Sequence, residues 1–234
     1  MKIAVLGTGM VGRALAGRLA GLGHDVVVGT RDVEQTLARI ERDAKGTPPY
    51  AGWQQANPGV RLLSFPEAGA HAKLIVNATA GAVSMAALEA VGAANLAGKV
   101  LVDIAVPLDY SKGRPPSLLF ANTDSLGEQI QRAFPDARVV KTLNTMHVQV
   151  MIDPARVPGR HNVFLAGEDV SAKETVKGVL GEFGWSEEAM VDLGGIRAAR
   201  ATEMYVPLLF SMMGVFGTYD LNIAVVRAYE AVKD

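Results

Sequence analysis

Six residues near the start of the chain, Gly7-Thr8-Gly9-Met10-Val11-Gly12, have the spacing G-x-G-x-x-G. In such a turn the first glycine permits a tight bend and the second lets backbone approach a pyrophosphate. The third lets the following helix pack closely on the preceding strand. A chain with 25 glycines can produce this pattern by chance, so its setting matters. An apolar strand, Lys2–Leu6, precedes it, and a helix over 11–22 follows with Leu15, Leu19 and Leu22 on one face. Phosphates would then meet a helix N-terminus. All six residues of the turn, Gly7, Thr8, Gly9, Met10, Val11 and Gly12, are candidate dinucleotide contacts.

The end of the second strand, Asp25–Gly29, separates the two nicotinamide dinucleotides. An NAD site usually places Asp or Glu there to accept from the ribose 2′-hydroxyl. This chain reads Gly29-Thr30-Arg31-Asp32. Thr30 can donate to a phosphate oxygen, and the Arg31 guanidinium is a planar fork suited to a 2′-phosphate. The pair favours NADP. Asp32 keeps a second reading open, since a shift of one residue in the strand end would put its carboxylate near the ribose.

Three later loops follow strand-like runs and should rim one cleft, because ligands of open α/β sheets lie outside the carboxyl ends of the strands. They are Asn77-Ala78-Thr79-Ala80-Gly81, Ile104-Ala105-Val106-Pro107 and Asn144-Thr145-Met146-His147. Asn77, Ala78, Thr79, Ala105 and Asn144 are the candidate cofactor contacts among them; ordinary strand-to-helix turns are the alternative. Asn144 and His147 are the catalytic candidates. His147 is expected near the nicotinamide, bonded to a substrate carbonyl or to an anionic ring, or else serving as a packing or capping residue. His24, His71 and His161 read as turn residues.

The elements that must position these residues alternate strand and helix, as stacked βαβ units do. Strands are predicted at Lys2–Leu6, Asp25–Gly29, Arg61–Phe65, Leu74–Thr79, Val100–Ile104, Arg138–Leu143, Asn162–Ala166 and Ala189–Leu193. Helices are predicted at Val11–Leu22, Val33–Ala44, Val83–Val91, Ser125–Phe134 and Val170–Phe183, with a long one from near Ile196. Asp124 or Ser125 is the expected cap of the fourth. The segments Gly46–Gly59 and Ser111–Ser117 read as loops. The fold class is α/β, a Rossmann-type doubly wound parallel sheet with a small α/β C-terminal extension. Residues 1–153 form the expected NADP-binding domain, and residues 154–234 a small substrate and dimerisation region.

Composition sets bounds. With 234 residues, 49% of them hydrophobic, the chain can build one large core. A formal net charge of −1 without a basic stripe argues against a nucleic-acid partner. No cysteine is present, which excludes a thiolate metal site and thiol catalysis and suits a reducing cytoplasm. No His/Asp/Glu cluster has metal-ligand spacing, so no metal is expected. The most apolar stretch, Val206–Gly217, is too short to span a bilayer. Met204, Met212 and Met213, with Tyr205 and Phe210, read as core or interface in preference to a lining for a flat substrate. A homodimer through this helix is the expected assembly.

The residues Gly7–Gly12, Val27-Val28-Gly29-Thr30-Arg31, Asn77-Ala78-Thr79 and Lys141-Thr142-Leu143-Asn144-Thr145 together resemble the NADP oxidoreductases that use coenzyme F420. The resemblance extends through Val163–Gly167 and the stretch from Gly184-Trp185 to Asp192-Leu193-Gly194. It implies hydride transfer between NADP(H) and a deazaflavin or flavin-like acceptor, with Thr8, Thr30 and Arg31 serving the NADP phosphates and no protein nucleophile or metal. One departure is the segment holding Pro48-Pro49-Tyr50 and Trp53, which is elongated relative to that family. Two other functions compete. A hydroxyacid dehydrogenase or imine reductase is one, although Val148 and not lysine stands four residues after Asn144. A non-catalytic NADP-binding redox sensor is the other.

Overall fold

The computed structural model describes residues 1–43 and 46–228. Eight strands form one sheet: β1 (Lys2–Leu6), β2 (Asp25–Thr30), β3 (Arg61–Ser64), β4 (Leu74–Asn77), β5 (Val100–Asp103), β8 (Arg138–Thr142), β9 (Val163–Ala166) and β10 (Met190–Asp192). A small antiparallel pair, β6 (Leu108–Asp109) and β7 (Ser117–Leu118), lies apart. The strand order is β3-β2-β1-β4-β5-β8-β9-β10. Every pairing in the large sheet is parallel except β8 with β9. The winding direction reverses between β1 and β4, which creates the crevice a doubly wound sheet offers to ligands.

Continuous apolar runs form these strands because helices cover both faces. Ile3 and Val5 of β1 enter one core layer, while Ala4 and Leu6 enter the other. The first layer is closed by α1 (Met10–Gly21), α3 (Tyr50–Ala56), α8 (Val148–Ile152) and α9 (Val170–Phe183). The second is closed by α4 (Phe65–His71), α5 (Gly81–Val91), α6 (Ala93–Leu96) and α7 (Leu126–Ala133). The remaining helices are α2 (Val33–Ala38), α10 (Ala199–Met204) and α11 (Val206–Phe216). Val163, Leu165 and Val176 share a core layer with Ile3 and Val5, so Pro154 marks a change of strand direction and no break in packing.

Several expected elements differ. Helix α2 stops at Ala38 where a helix to Ala44 was expected; Ala44 itself lies outside the described residues. None of α2 is buried and Ile40 is 87% exposed, so no apolar face sustains further turns. Helix α3 falls inside the segment 46–59 that reads as loop. Its hold is tertiary: Tyr50 is fully buried and packs on Trp53 with ring centroids 5.3 Å apart. Helix α4 carries a local signal, since the Glu67 carboxylate accepts from Ser64 N and Oγ at 3.0 and 2.6 Å. Ser125 caps α7. The long helix expected from Ile196 is instead a 3₁₀ turn, Ile196–Ala198, followed by α10 and α11. Pro207, which has no N–H to donate, stands in the first turn of α11. Residues 229–234 of the C-terminal region lie outside the described residues.

Candidate functional site

The glycine turn sits at the carboxyl end of β1, beside the reversal point. Gly7 has φ +113°, and a Cβ there would stand 2.7 Å from the Ala78 carbonyl oxygen. A Cβ on Gly12 would stand 2.0 Å from the Gly7 carbonyl oxygen. Gly9 is different: its Cβ direction meets nothing within 4 Å. Two glycines thus let backbone segments close on one another, and the third leaves the approach to the α1 N-terminus open. The first turn of that helix has amides without helical partners, and no side chain caps it. These residues fit a dinucleotide pyrophosphate.

At the end of β2, Thr30 is buried with its hydroxyl 2.8 Å from that of Thr36. Arg31 is exposed and forms no ion pair among the described residues. Asp32 is the N-cap of α2, accepting from Gln35 N at 2.8 Å. That duty turns its carboxylate to the helix, which weakens the alternative that it meets a ribose hydroxyl. Arg13, one turn into α1, is buried. Its Nε donates to Thr8 O at 2.7 Å and its Nη1 to Pro49 O at 3.2 Å.

The rim formed by β4, β5 and β8 is built from charge. Lys141, fully buried near the end of β8, lies 2.9 Å from Asp103 Oδ2 on β5 and 2.8 Å from Glu203 Oε1 on α10, and it donates to the Ala105 carbonyl. Burial on its own disfavours the ammonium, but the two carboxylates outweigh burial and hold its pKa above the ordinary lysine range. Asp103 Oδ1 accepts from Asn77 Nδ2 at 2.9 Å, and Asn77 Oδ1 accepts from the Thr79 hydroxyl at 2.7 Å. Glu203 also accepts from Leu126 N and Gly127 N, at 2.9 and 3.2 Å, so it caps α7. Beside it, Arg200 holds Glu128 with bonds of 2.7 and 2.6 Å.

Beyond β8 the chain turns through Leu143, whose φ is +62°, with Asn144 N donating to Thr142 O at 2.8 Å. A buried leucine in the left-handed region is strained. The network and the Asn144 Nδ2 bond to Thr202 O, 2.9 Å, hold this turn against α10. Asn144 Oδ1 is buried without a partner. His147 caps α8 through Nδ1 and stacks on Tyr219 with centroids 4.7 Å apart. Partial burial lowers its pKa, against the opposing pull of Asp220.

The chain therefore brings the glycine turn and Ala78 into contact and links Asn77, Thr79, Ala105 and the Asn144 turn through one polar network. His147 faces the C-terminal segment instead. Sequence reasoning missed Asp103, Lys141 and Glu203 as a set, and it missed Arg13. Among the described residues no group of three or more His, Asp or Glu converges as metal ligands, and no helix is long and apolar enough to cross a membrane.

Fold and site together define a dinucleotide-binding protein of the doubly wound class. Residues 2–107 match the family model described as NADP oxidoreductase, coenzyme F420-dependent. A protein of Arthrobacter sp. FB24, provisionally named an F420-dependent NADP reductase and solved at 1.70 Å, is 53% identical. It superposes with a TM-score of 0.92 over 97% of this chain and 100% of that one. The F420-dependent NADP reductase of Methanothermobacter marburgensis is 28% identical over 216 residues, 91% of this chain and 92% of the relative. Metalloreductase STEAP3 of Rattus norvegicus is 26% identical over 207 residues, 88% of this chain, and the match spans 36% of that relative's length. The chain belongs to the coenzyme F420-dependent NADP oxidoreductase family and is an NADP-dependent oxidoreductase.

Proposed function

We propose that this chain transfers a hydride between NADP(H) and a deazaflavin, coenzyme F420, or a flavin-like acceptor. The observation that carries the reading is the open approach at Gly9, together with an exposed Arg31 that forms no ion pair among the described residues, within a family whose relatives are named for F420. When bound, the dinucleotide supplies the hydride at its nicotinamide C4. The chain's own work is orientation: Gly7, Thr8, Gly9, Met10, Val11 and Gly12 hold the pyrophosphate, and Thr30 and Arg31 the 2′-phosphate. Thr79, Ala105 and Asn144 line the far end, with Asn77 and Ala78 shaping the loop there. Asn144 and His147 are the two catalytic candidates.

Residues 154–234 are proposed as the substrate and dimerisation region. Leu208, Val215 and Phe216 of α11 and nearby Tyr219 are exposed, and a homodimer covers them. Sedimentation should give twice the chain mass, and Phe216→Glu should return the monomer. The cysteine-free composition suits the cytoplasm, to which we assign it. Mixing the protein with NADPH and oxidised F420 tests the central claim. Deazaflavin absorbance should bleach; NADPH binding without bleaching removes F420 as the acceptor.

A further inference from the structure

The loops that follow β4, β5 and β8 converge on one ammonium. A lysine has three N–H donors, and those of Lys141 go to Asp103 Oδ2 at 2.9 Å, Glu203 Oε1 at 2.8 Å and the Ala105 carbonyl. Each tie leads to a candidate contact of the cleft. Ala105 is one itself. Asp103 Oδ1 accepts from Ala105 N at 3.3 Å and from Asn77 Nδ2 at 2.9 Å. Asn77 Nδ2 also donates to Ser84 at 3.2 Å, and the Thr79 hydroxyl lies 2.7 Å from that of Ser84. Glu203 follows Thr202, whose carbonyl holds Asn144 Nδ2 at 2.9 Å.

Stability alone is a poor account of this arrangement. A buried ionic group of this kind is often exchangeable for apolar side chains without loss of stability. Apolar side chains pack without direction, whereas hydrogen bonds from an ammonium fix where each acceptor stands. Direction matters here, because the loops have no slack. Leu143, between Lys141 and Asn144, is held at φ +62°, a conformation that a leucine keeps only when its surroundings dictate it. A Cβ on Gly81 would stand 2.1 Å from the Val106 carbonyl oxygen, so the loop after β5 lies flush on the first turn of α5. A shift at Lys141 is therefore passed on to both.

We propose that Lys141 is a positioning residue for the oxidoreductase reaction: it fixes loops 77–79, 104–107 and 143–147 in the one relative placement that aims the nicotinamide ring, and so sets turnover more than affinity. The proposal rests on the reading that Thr79, Ala105 and Asn144 line the nicotinamide end of the cleft. Lys141 is 1% exposed and acts through Ala105, Asp103 and Glu203.

Two variants of the full chain test this. Lys141→Met removes the ammonium alone. Asp103→Asn combined with Lys141→Met also removes one partner charge and keeps an acceptor for Asn77, so that a folded protein is available even where the single variant unfolds. Hydrogen exchange is followed with adenosine 2′,5′-bisphosphate, which lacks the nicotinamide half, and with NADP. In wild type, NADP should protect 104–107 and 143–147 beyond what the bisphosphate does. The double variant should lose this extra protection and keep the protection of 7–12. Its turnover with NADPH and oxidised F420 should fall about a hundredfold, as a misplacement near 1 Å does. KM for NADPH should stay within about threefold, the signature of an interaction that acts in the reaction and not in binding.

Retention of the extra protection, its loss together with that of 7–12, or a raised KM with kcat intact overturns the proposal. Failure of both variants to fold assigns Lys141 to stability and overturns it too. Should NADP give wild type no extra protection at either loop, the placement of the nicotinamide end falls and the proposal with it. Should wild type leave F420 unbleached, only the acceptor falls, and the exchange comparison still decides the role of Lys141.

Discussion

At the glycine turn, missing side chains do the shaping: Gly7 and Gly12 let backbone meet backbone, and Gly9 leaves a free approach. At the β4–β5–β8 rim the shaping is done by side chains that are present, charged and buried: Lys141 between Asp103 and Glu203. The first arrangement is local, spanning six consecutive residues. The second joins residues 38 apart, as Asp103 and Lys141 are, and a helix much further along the chain. The same cleft thus has one wall made by steric permission and one made by electrostatic pairing. The two walls should fail differently.

Replacing Lys141 by Met should produce the largest change. It leaves two carboxylates buried without their counter-charge, which costs about 3–5 kcal/mol. Urea unfolding measures it, and a loss under about 1 kcal/mol would show that the pairing is not what holds this rim. Gly12→Ala attacks the other wall. A methyl 2.0 Å from the Gly7 carbonyl forces the backbone to shift. The expected loss is about 1–3 kcal/mol, together with weaker NADP binding; unchanged affinity would refute the close-packing role.

Asp32→Ala separates the cap from the ribose reading. Losing the N-cap should cost about 1 kcal/mol, while the preference for NADP over NAD stays as in wild type. A changed preference returns Asp32 to the binding site. The smallest effect belongs to His147. Burial lowers its pKa, so the folded chain resists a proton that the unfolded chain accepts. This contribution is fully present above the ordinary histidine value of about 6.5 and is lost as pH falls below it. Melting temperatures from pH 7.5 to 5.5 should decline less steeply in His147→Phe, which keeps a ring against Tyr219.

What the sequence made legible follows the same division. Strands β1 and β2, the glycine turn and helix α9 were readable because apolar periodicity and glycine spacing are local quantities; α9 occupies Val170–Phe183 as expected. Helix α4 carries a local signal in the Ser64–Glu67 capping pair, but the apolar run Arg61–Phe65 before it reads as strand and hides its start. Helix α3 was not readable, since its seven residues are held by the burial of Tyr50 against distant elements. Lys141 stands in the sequence only as the first residue of the run Lys141-Thr142-Leu143-Asn144-Thr145. Nothing at Asp103 or Glu203 announces an ion pair, because an isolated acid in a strand end or helix reads as a surface residue until the topology brings them together. The reversal of direction at β9 was equally hidden: parallel and antiparallel strands covered on both faces share one apolar pattern.

Glu203 has a consequence beyond the rim it braces. Its carboxylate occupies the N-terminus of α7 as a bound anion would, accepting from two main-chain amides while Lys141 neutralises it. The protein thus supplies a permanent ligand to one helix end and leaves the equivalent end of α1 bare. One half of the cleft is preorganised before any dinucleotide arrives, so the ordering cost of binding falls on the other half. Affinity should then be set chiefly by how the segment around Arg13 and Pro49 settles on the ligand, and the Asn144 side should add geometry more than free energy.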